Sequence, residues 1–287
     1  MADDVIRAST PETQATVAAP AVPARTPSRA ERARRTVYRG RFALLYLLLA
    51  AVAGAAVGAT IVLIDRGSPA PAPAWSSWKP TGSAERREAQ IADHISSKYR
   101  LPSGNQLATV IAGPPTATTS DGTTVLLRAF AVRPDTSKGQ AEASDIAVVN
   151  TSGSVAYALC GLGTACSIAE GKPSAARLAL LRREALELAL YTFKYAGSVN
   201  SVLVLLPPRP DLKAATAVFL ERSDIHHELS QPLAQTLTAP LTPGVGEISG
   251  NELATIDRIT RPRLYTYSYT QSPDGSPIMV LSPVLSE

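Results

Sequence analysis

The stretch ALLYLLLAAVAGAAVGATIVLI, residues 43–64, decides how the rest of the chain is read. Its 22 positions carry no charged side chain. At a helical rise of about 1.5 Å per residue the run covers roughly 30 Å, the thickness of a bilayer's hydrocarbon core. Core helices of soluble proteins are usually shorter and keep a polar stripe. A single transmembrane helix is therefore expected at 43–64, closed by Arg39 and Arg41 on one side and by Asp65 and Arg66 on the other. Cleavage as a signal peptide is the competing reading, because Ala72-Pro73-Ala74 before Trp75 matches Ala-x-Ala. The apolar run exceeds the ~7–15 residues of a signal core, and prolines crowd the match, so an uncleaved anchor is expected.

The charges beside the run give it a direction. Arg29, Arg32, Arg34, Arg35, Arg39 and Arg41 precede it closely, whereas only Arg66 and Lys79 follow before the next folded segment. By the positive-inside rule these six arginines form the topology signal. They predict a single-pass protein of the plasma membrane, with its N-terminal side cytoplasmic and its C-terminal domain extracytoplasmic. Within the span, Ala50, Gly54 and Gly58 recur every fourth residue. Such a small-residue stripe lets two helix backbones approach closely, so a homodimer through the membrane is a candidate partnership beside the lipid bilayer itself.

On the N-terminal side, residues 1–42 contain four prolines, eight arginines and almost no large apolar side chains, which predicts a disordered basic tail. On the other side, residues 65–82 hold four prolines among small polar residues and are expected to form a stalk, with Trp75 and Trp78 at the outer membrane interface. The folded domain is expected at 83–287. The tail's eight arginines against four carboxylates carry the whole net charge of +4, and the other 20 basic and 20 acidic groups cancel. That balance argues against a nucleic-acid partner for the folded part.

Coarse patterning gives the domain an α+β character, with a mixed or antiparallel sheet packed on a long central helix. Ser83 begins a helix to about Lys98, and Ser174 caps the strongest helix, which runs to Ala196 with Gly197 beyond it as a C-terminal stop. Strands are expected at 106–112, 123–132, 199–206 and 214–221. Hairpins are expected from 145–150 with 154–159, and from 264–270 with 278–281.

Candidate sites are few. Cys160 and Cys166 are the only cysteines, and outside the cytoplasm such a pair favours a disulfide, its short loop eased by Gly161 and Gly163. A sortase-like cysteine site is rejected, because the residues around both cysteines depart from that pattern and only three histidines could serve as base. Adjacent His226 and His227 point apart and lack metal-ligand spacing. Glu184 and Glu187 read as a solvated stripe with Arg183. Ser76 and Lys79 match Ser-x-x-Lys without the accompanying motifs. No catalytic residue, metal ligand or cofactor is therefore assigned. The sequence supports a membrane-anchored extracytoplasmic domain that is a non-catalytic binding or assembly component of the cell envelope, with an envelope protein or polymer as partner. The alternative is an anchored envelope hydrolase.

Overall fold

The computed structural model describes residues 29–65, 74–119, 121–135, 143–209, 214–238 and 242–284. Two compact units divide at Pro71 and Ala72, and each is taken by itself. The first contains α1, Arg29–Asp65, a 37-residue helix whose segment Arg41–Thr60 is long and apolar enough to cross a membrane by length and composition. The arginine-rich residues 29–42, expected to be disordered, are its first turns; residues 1–28 lie outside the described residues. No proline follows Pro27 before the span, Ala, Arg and Glu favour helix, and extending a helix avoids the cost of nucleating one.

The second unit is a mixed α+β domain with an eight-stranded sheet. Its strands are β1 (Thr109–Gly113), β4 (Ala129–Val132), β5 (Ala147–Asn150), β6 (Ser154–Cys160), β7 (Ser201–Leu205), β8 (Thr216–Glu221), β9 (Leu264–Gln271) and β10 (Pro277–Pro283). Their spatial order is β1-β6-β7-β8-β9-β10-β4-β5; the β6–β7 and β10–β4 pairs are parallel and the others antiparallel. A separate hairpin joins β2 (Thr116–Thr118) to β3 (Thr124–Leu126). The helices are α2 (Ala84–Ser96), α3 (Ala175–Tyr195), α4 (His226–Ser230) and α5 (Gly250–Thr260).

Two strand expectations need correction. The apolar run 123–132 is not one strand: it breaks at Leu127 and Arg128 into β3 and β4, which belong to different sheets. Nor do 145–150 and 154–159 pair as a hairpin. Only three residues separate β5 from β6, yet β5 pairs with β4 and β6 pairs with β1 and β7. In a flat sheet, six inter-strand spacings would hold β6 and β5 roughly 29 Å apart, but the link from Asn150 to Ser154 spans at most about 14 Å. The sheet therefore curls back on itself. The same curl brings the rings of Phe130 on β4 and Phe219 on β8 to 5.2 Å, although two strands lie between them.

Alternation along the strands then makes two cores. Leu203, Phe219, Tyr265, Met279, Leu281 and Phe130 face into the curl, where Ala117 of β2 and Leu127 join them. On the opposite face, Val155, Tyr157, Val202, Val204, Val218 and Leu220 pack against the helices. α3 lies at the centre of this layer, with every residue from Ala179 to Phe193 buried. Ser174 caps it as expected, its hydroxyl accepting from the Arg177 amide. The far end closes differently from expectation, for Gly197 does not adopt a left-handed conformation. Instead the Arg222 guanidinium donates to the carbonyls of Phe193, Ala196 and Val199, and Arg87 donates to that of Tyr195. Two cations thereby satisfy the carbonyls that a helix end leaves open.

The proline-rich stretch 65–82 divides. Residues 66–73 are outside the described residues, whereas Trp75 and Trp78 pack against the helical core. Trp75 meets Tyr191 edge-on at 5.2 Å, its carbonyl accepts from the Leu233 amide, and Trp78 stacks on His94 at 3.8 Å. The interface role expected for these indoles is thus replaced by packing on the domain's own aromatic side chains.

Candidate functional site

The parallel neighbours β6 and β7 are joined by α3. In such units the crevice outside the carboxyl ends of the strands is where ligands collect. Here that crevice is a cavity of about 340 Å³. Three segments wall it: the disulfide loop after β6 (Thr164, Ala165, Ser167, Ile168), the start of α3 (Ser174, Arg177, Leu178, Leu181), and the end of β7 with the prolines after it (Leu206, Pro207, Pro208). Arg209 and Thr216 complete the wall.

The loop is held shut from within. Cys160 and Cys166 lie at disulfide distance, with an S–S separation of 2.04 Å. The Gly161 amide donates to the Cys166 carbonyl and the Gly163 amide to that of Ser167. Both glycines are required by close approach rather than by unusual torsion. A Cβ on Gly161 would fall 2.3 Å from the Ser167 carbonyl oxygen, and one on Gly163 would fall 2.7 Å from the Ser167 hydroxyl. Ala165 and Cys166 are the residues with left-handed backbone, at φ 51° and 62°, and nonglycine residues adopt that region at a cost. The Cys160–Cys166 pair closes the short loop that carries both of these residues at the cavity rim.

Arg177 is set by its surroundings. Its Nη2 donates to the Glu170 carbonyl at 2.6 Å, and Gly171, with φ 69°, leaves room for that nitrogen, since a Cβ there would sit 2.4 Å away. The Glu170 carboxylate accepts from Asn105 instead. Arg177 Nε is buried and has no acceptor among the described residues. The charged side chains in the lining are arginines, and the remaining groups are hydroxyl-bearing, proline or aliphatic. Among the described residues, nothing in that lining supplies a carboxylate, imidazole or thiolate for acid–base or nucleophilic chemistry. The arrangement can hold an apolar body and an electron-rich head.

Six residues further along α3, at Arg183, the same helix carries a closed ionic cluster. Arg183 Nε donates to Glu252 Oε1 at 2.7 Å, and its Nη1 reaches Glu187 Oε2 at 3.3 Å and the Tyr99 hydroxyl at 2.6 Å. Tyr99 donates onward to Glu187 Oε2 at 2.7 Å, and the Thr238 amide donates to Glu252. The stripe expected to be solvated is in fact buried: Arg183 is 3 % exposed and Glu187 5 %. The reason is that α3 is enclosed by the sheet on one side and by α2, α5 and the 99–107 segment on the other. Glu184 is wholly buried, and neither carboxyl oxygen has a hydrogen-bond partner among the described residues. Burial, aided by nearby Glu187, pushes its carboxyl well above the ordinary range and favours the neutral acid.

The other sequence candidates scatter. Ala50, Gly54 and Gly58 lie on α1, where a Cβ added at either glycine meets nothing within 4 Å. Arg29, Arg32, Arg34, Arg35, Arg39 and Arg41 lie on the same helix. His226 and His227 are exposed, while Glu228 beside them is buried against Arg258. Among the described residues no group of His, Cys, Asp or Glu is arranged to hold a metal ion. Of the sequence candidates, the cysteine pair belongs to the cavity rim. Arg177, Arg209 and the paired prolines were not anticipated from the sequence; the signal for them was a strand, a capped helix and a buried strand in succession, the signature of a parallel unit with a crevice at one edge. No protein-family model, curated protein or solved structure matches the chain.

Proposed function

We propose that the chain is a single-pass membrane protein whose C-terminal domain works outside the cytoplasm as a non-catalytic binding or assembly component of the cell envelope, and that the cavity at the start of α3 is where it binds. The cavity carries the binding half of this reading: a disulfide-rimmed hollow, largely apolar, with cations and hydroxyls but, among the described residues, no acid–base group in its lining. The anchoring half rests on the apolar segment Arg41–Thr60 and on the arginines that precede it. A disulfide-distance pair fits an oxidising compartment. Alkaline phosphatase, which matures only outside the cytoplasm, tests the placement: fused after Glu287 it is expected to be active, and fused before Met1 inactive. The reverse pattern would overturn the topology. Crosslinking in native membranes followed by mass spectrometry tests the binding. Partner crosslinks are expected on 164–178 and 206–209, and a concentration of them on the exposed β4–β5 surface would contradict the reading.

On the same reading, the stripe of Ala50, Gly54 and Gly58 serves a second copy of the chain. Gly54→Ile with Gly58→Ile is expected to abolish self-association in a membrane two-hybrid assay, and undiminished association would remove this element.

A further inference from the structure

Three features of the cavity restrict what it takes. The first is size: at about 340 Å³ it stands at the small end of the ~300–1,000 Å³ range of small-molecule sites, room for one slender body rather than for a two-chain lipid. The second is the apolar wall supplied by Ile168, Leu178, Leu181, Leu206 and the prolines, which rewards a hydrocarbon. The third is the sign of its charge. Arg177 and Arg209 line it, and no carboxylate does so among the described residues. A guanidinium beside an apolar wall pairs with an anionic oxygen through a charge-assisted hydrogen bond. The positive end of the 21-residue helix α3 opens on the same space and adds to the preference.

Building on the cavity as the binding site, we propose that its ligand is a single-chain amphiphile with an anionic head, the head at Arg177 and the chain along Ile168, Leu178, Leu181 and Leu206. Two other hollows among the described residues lack this combination. One mixes Arg133, Arg261 and Arg263 with Asp135 and Asp145, and the other, on the outer face of β4, β5 and β10, has its cation Arg128 paired with Asp274.

The test uses the full chain in lipid nanodiscs and three photoreactive probes of equal length: a diazirine-bearing octanoate, the matching octyl phosphate, and octanol. Adducts are mapped by peptide, and labelling of α1 reports how much of each probe enters the lipid. Normalised to α1, at least one anionic probe is expected to label 164–181 about tenfold more than the alcohol, a ratio typical of one charge-assisted contact. Whether carboxylate or phosphate leads identifies the head. Arg177→Gln is expected to reduce anion labelling to the alcohol's level, and Arg177→Lys to restore most of it. Equal normalised labelling by acids and alcohol, or an undiminished ratio in Arg177→Gln, would overturn the anionic head while leaving the cavity as a site. Absence of all three probes from 164–181 and 206–209 would overturn the cavity as the binding site as well.

Discussion

Arg177 and Arg183 stand on the same helix less than two turns apart, and the structure treats their charges in opposite ways. Around Arg183 each nitrogen finds an oxygen: two carboxylates, a phenol and a carbonyl converge on it, drawn from α3, α5, the segment after α2 and the loop residue Thr238. Around Arg177 the described residues provide a single carbonyl and then an open cavity. A buried cation with its partners complete is a fastening between elements. A cation for which the described residues offer one carbonyl, beside an apolar hollow, is where we propose that the ligand's head sits.

The contrast is broken or sharpened by substitution. The largest effect is expected at Arg183→Met, which leaves Glu187 and Glu252 buried without their cation; breaking a buried pair in this way costs about 3–5 kcal/mol, read by chemical denaturation. Next comes Cys160→Ser with Cys166→Ser, which frees the rim loop and is expected to cost about 2–3 kcal/mol. If the double variant is as stable as the parent, the bridge does not hold the rim.

Glu184 sharpens the same comparison through pH. The folded domain favours the protonated acid, whereas the unfolded chain releases that proton near about 4.3. Stability contributed by this group is therefore lost as pH rises above about 4.3 and on towards the raised folded value. Glu184→Gln removes the titration, and its stability is expected to gain on the parent's by at most about 1.4 kcal/mol per pH unit over that interval. Parallel stability–pH curves for the two proteins would show that Glu184 is charged or solvated in the fold. The smallest stability change is expected at Arg177→Gln, about 1 kcal/mol or less for one exchanged hydrogen bond, although binding should suffer most there. A loss there as large as that of Arg183→Met would place both arginines in the scaffold and erase the distinction.

The sequence foretold the elements whose signals are local. Ser83 and Ser174 cap their helices, the apolar run after α3 is a buried strand, and the Pro-Asp-Gly-Ser turn closes the β9–β10 hairpin. Failures came where distant segments decide. β5 and β6 looked like a hairpin because they are adjacent and rich in β-formers, but the curl of the sheet sends them to different partners. The charged stripe of α3 looked solvated because its helical spacing is that of a surface stripe; its burial depends on Tyr99 and Glu252, remote in sequence. α5 was missed although Ser249 followed three residues later by Glu252, before Leu253, Ile256 and Ile259, is a helix-start pattern. Of the site, the cysteine pair was legible and the cavity was not, since its walls come from three separated segments that only the parallel pairing of β6 and β7 brings together.

The most direct measurement places a photo-crosslinking amino acid at Ala165, on the cavity rim, or at His227, an exposed position away from it, in the full chain in native membranes. The account predicts a discrete adduct from Ala165 that disappears when Arg177→Gln is added, and none that responds to Arg177 from His227. Equal adducts from both positions, or an Ala165 adduct indifferent to Arg177, would contradict it.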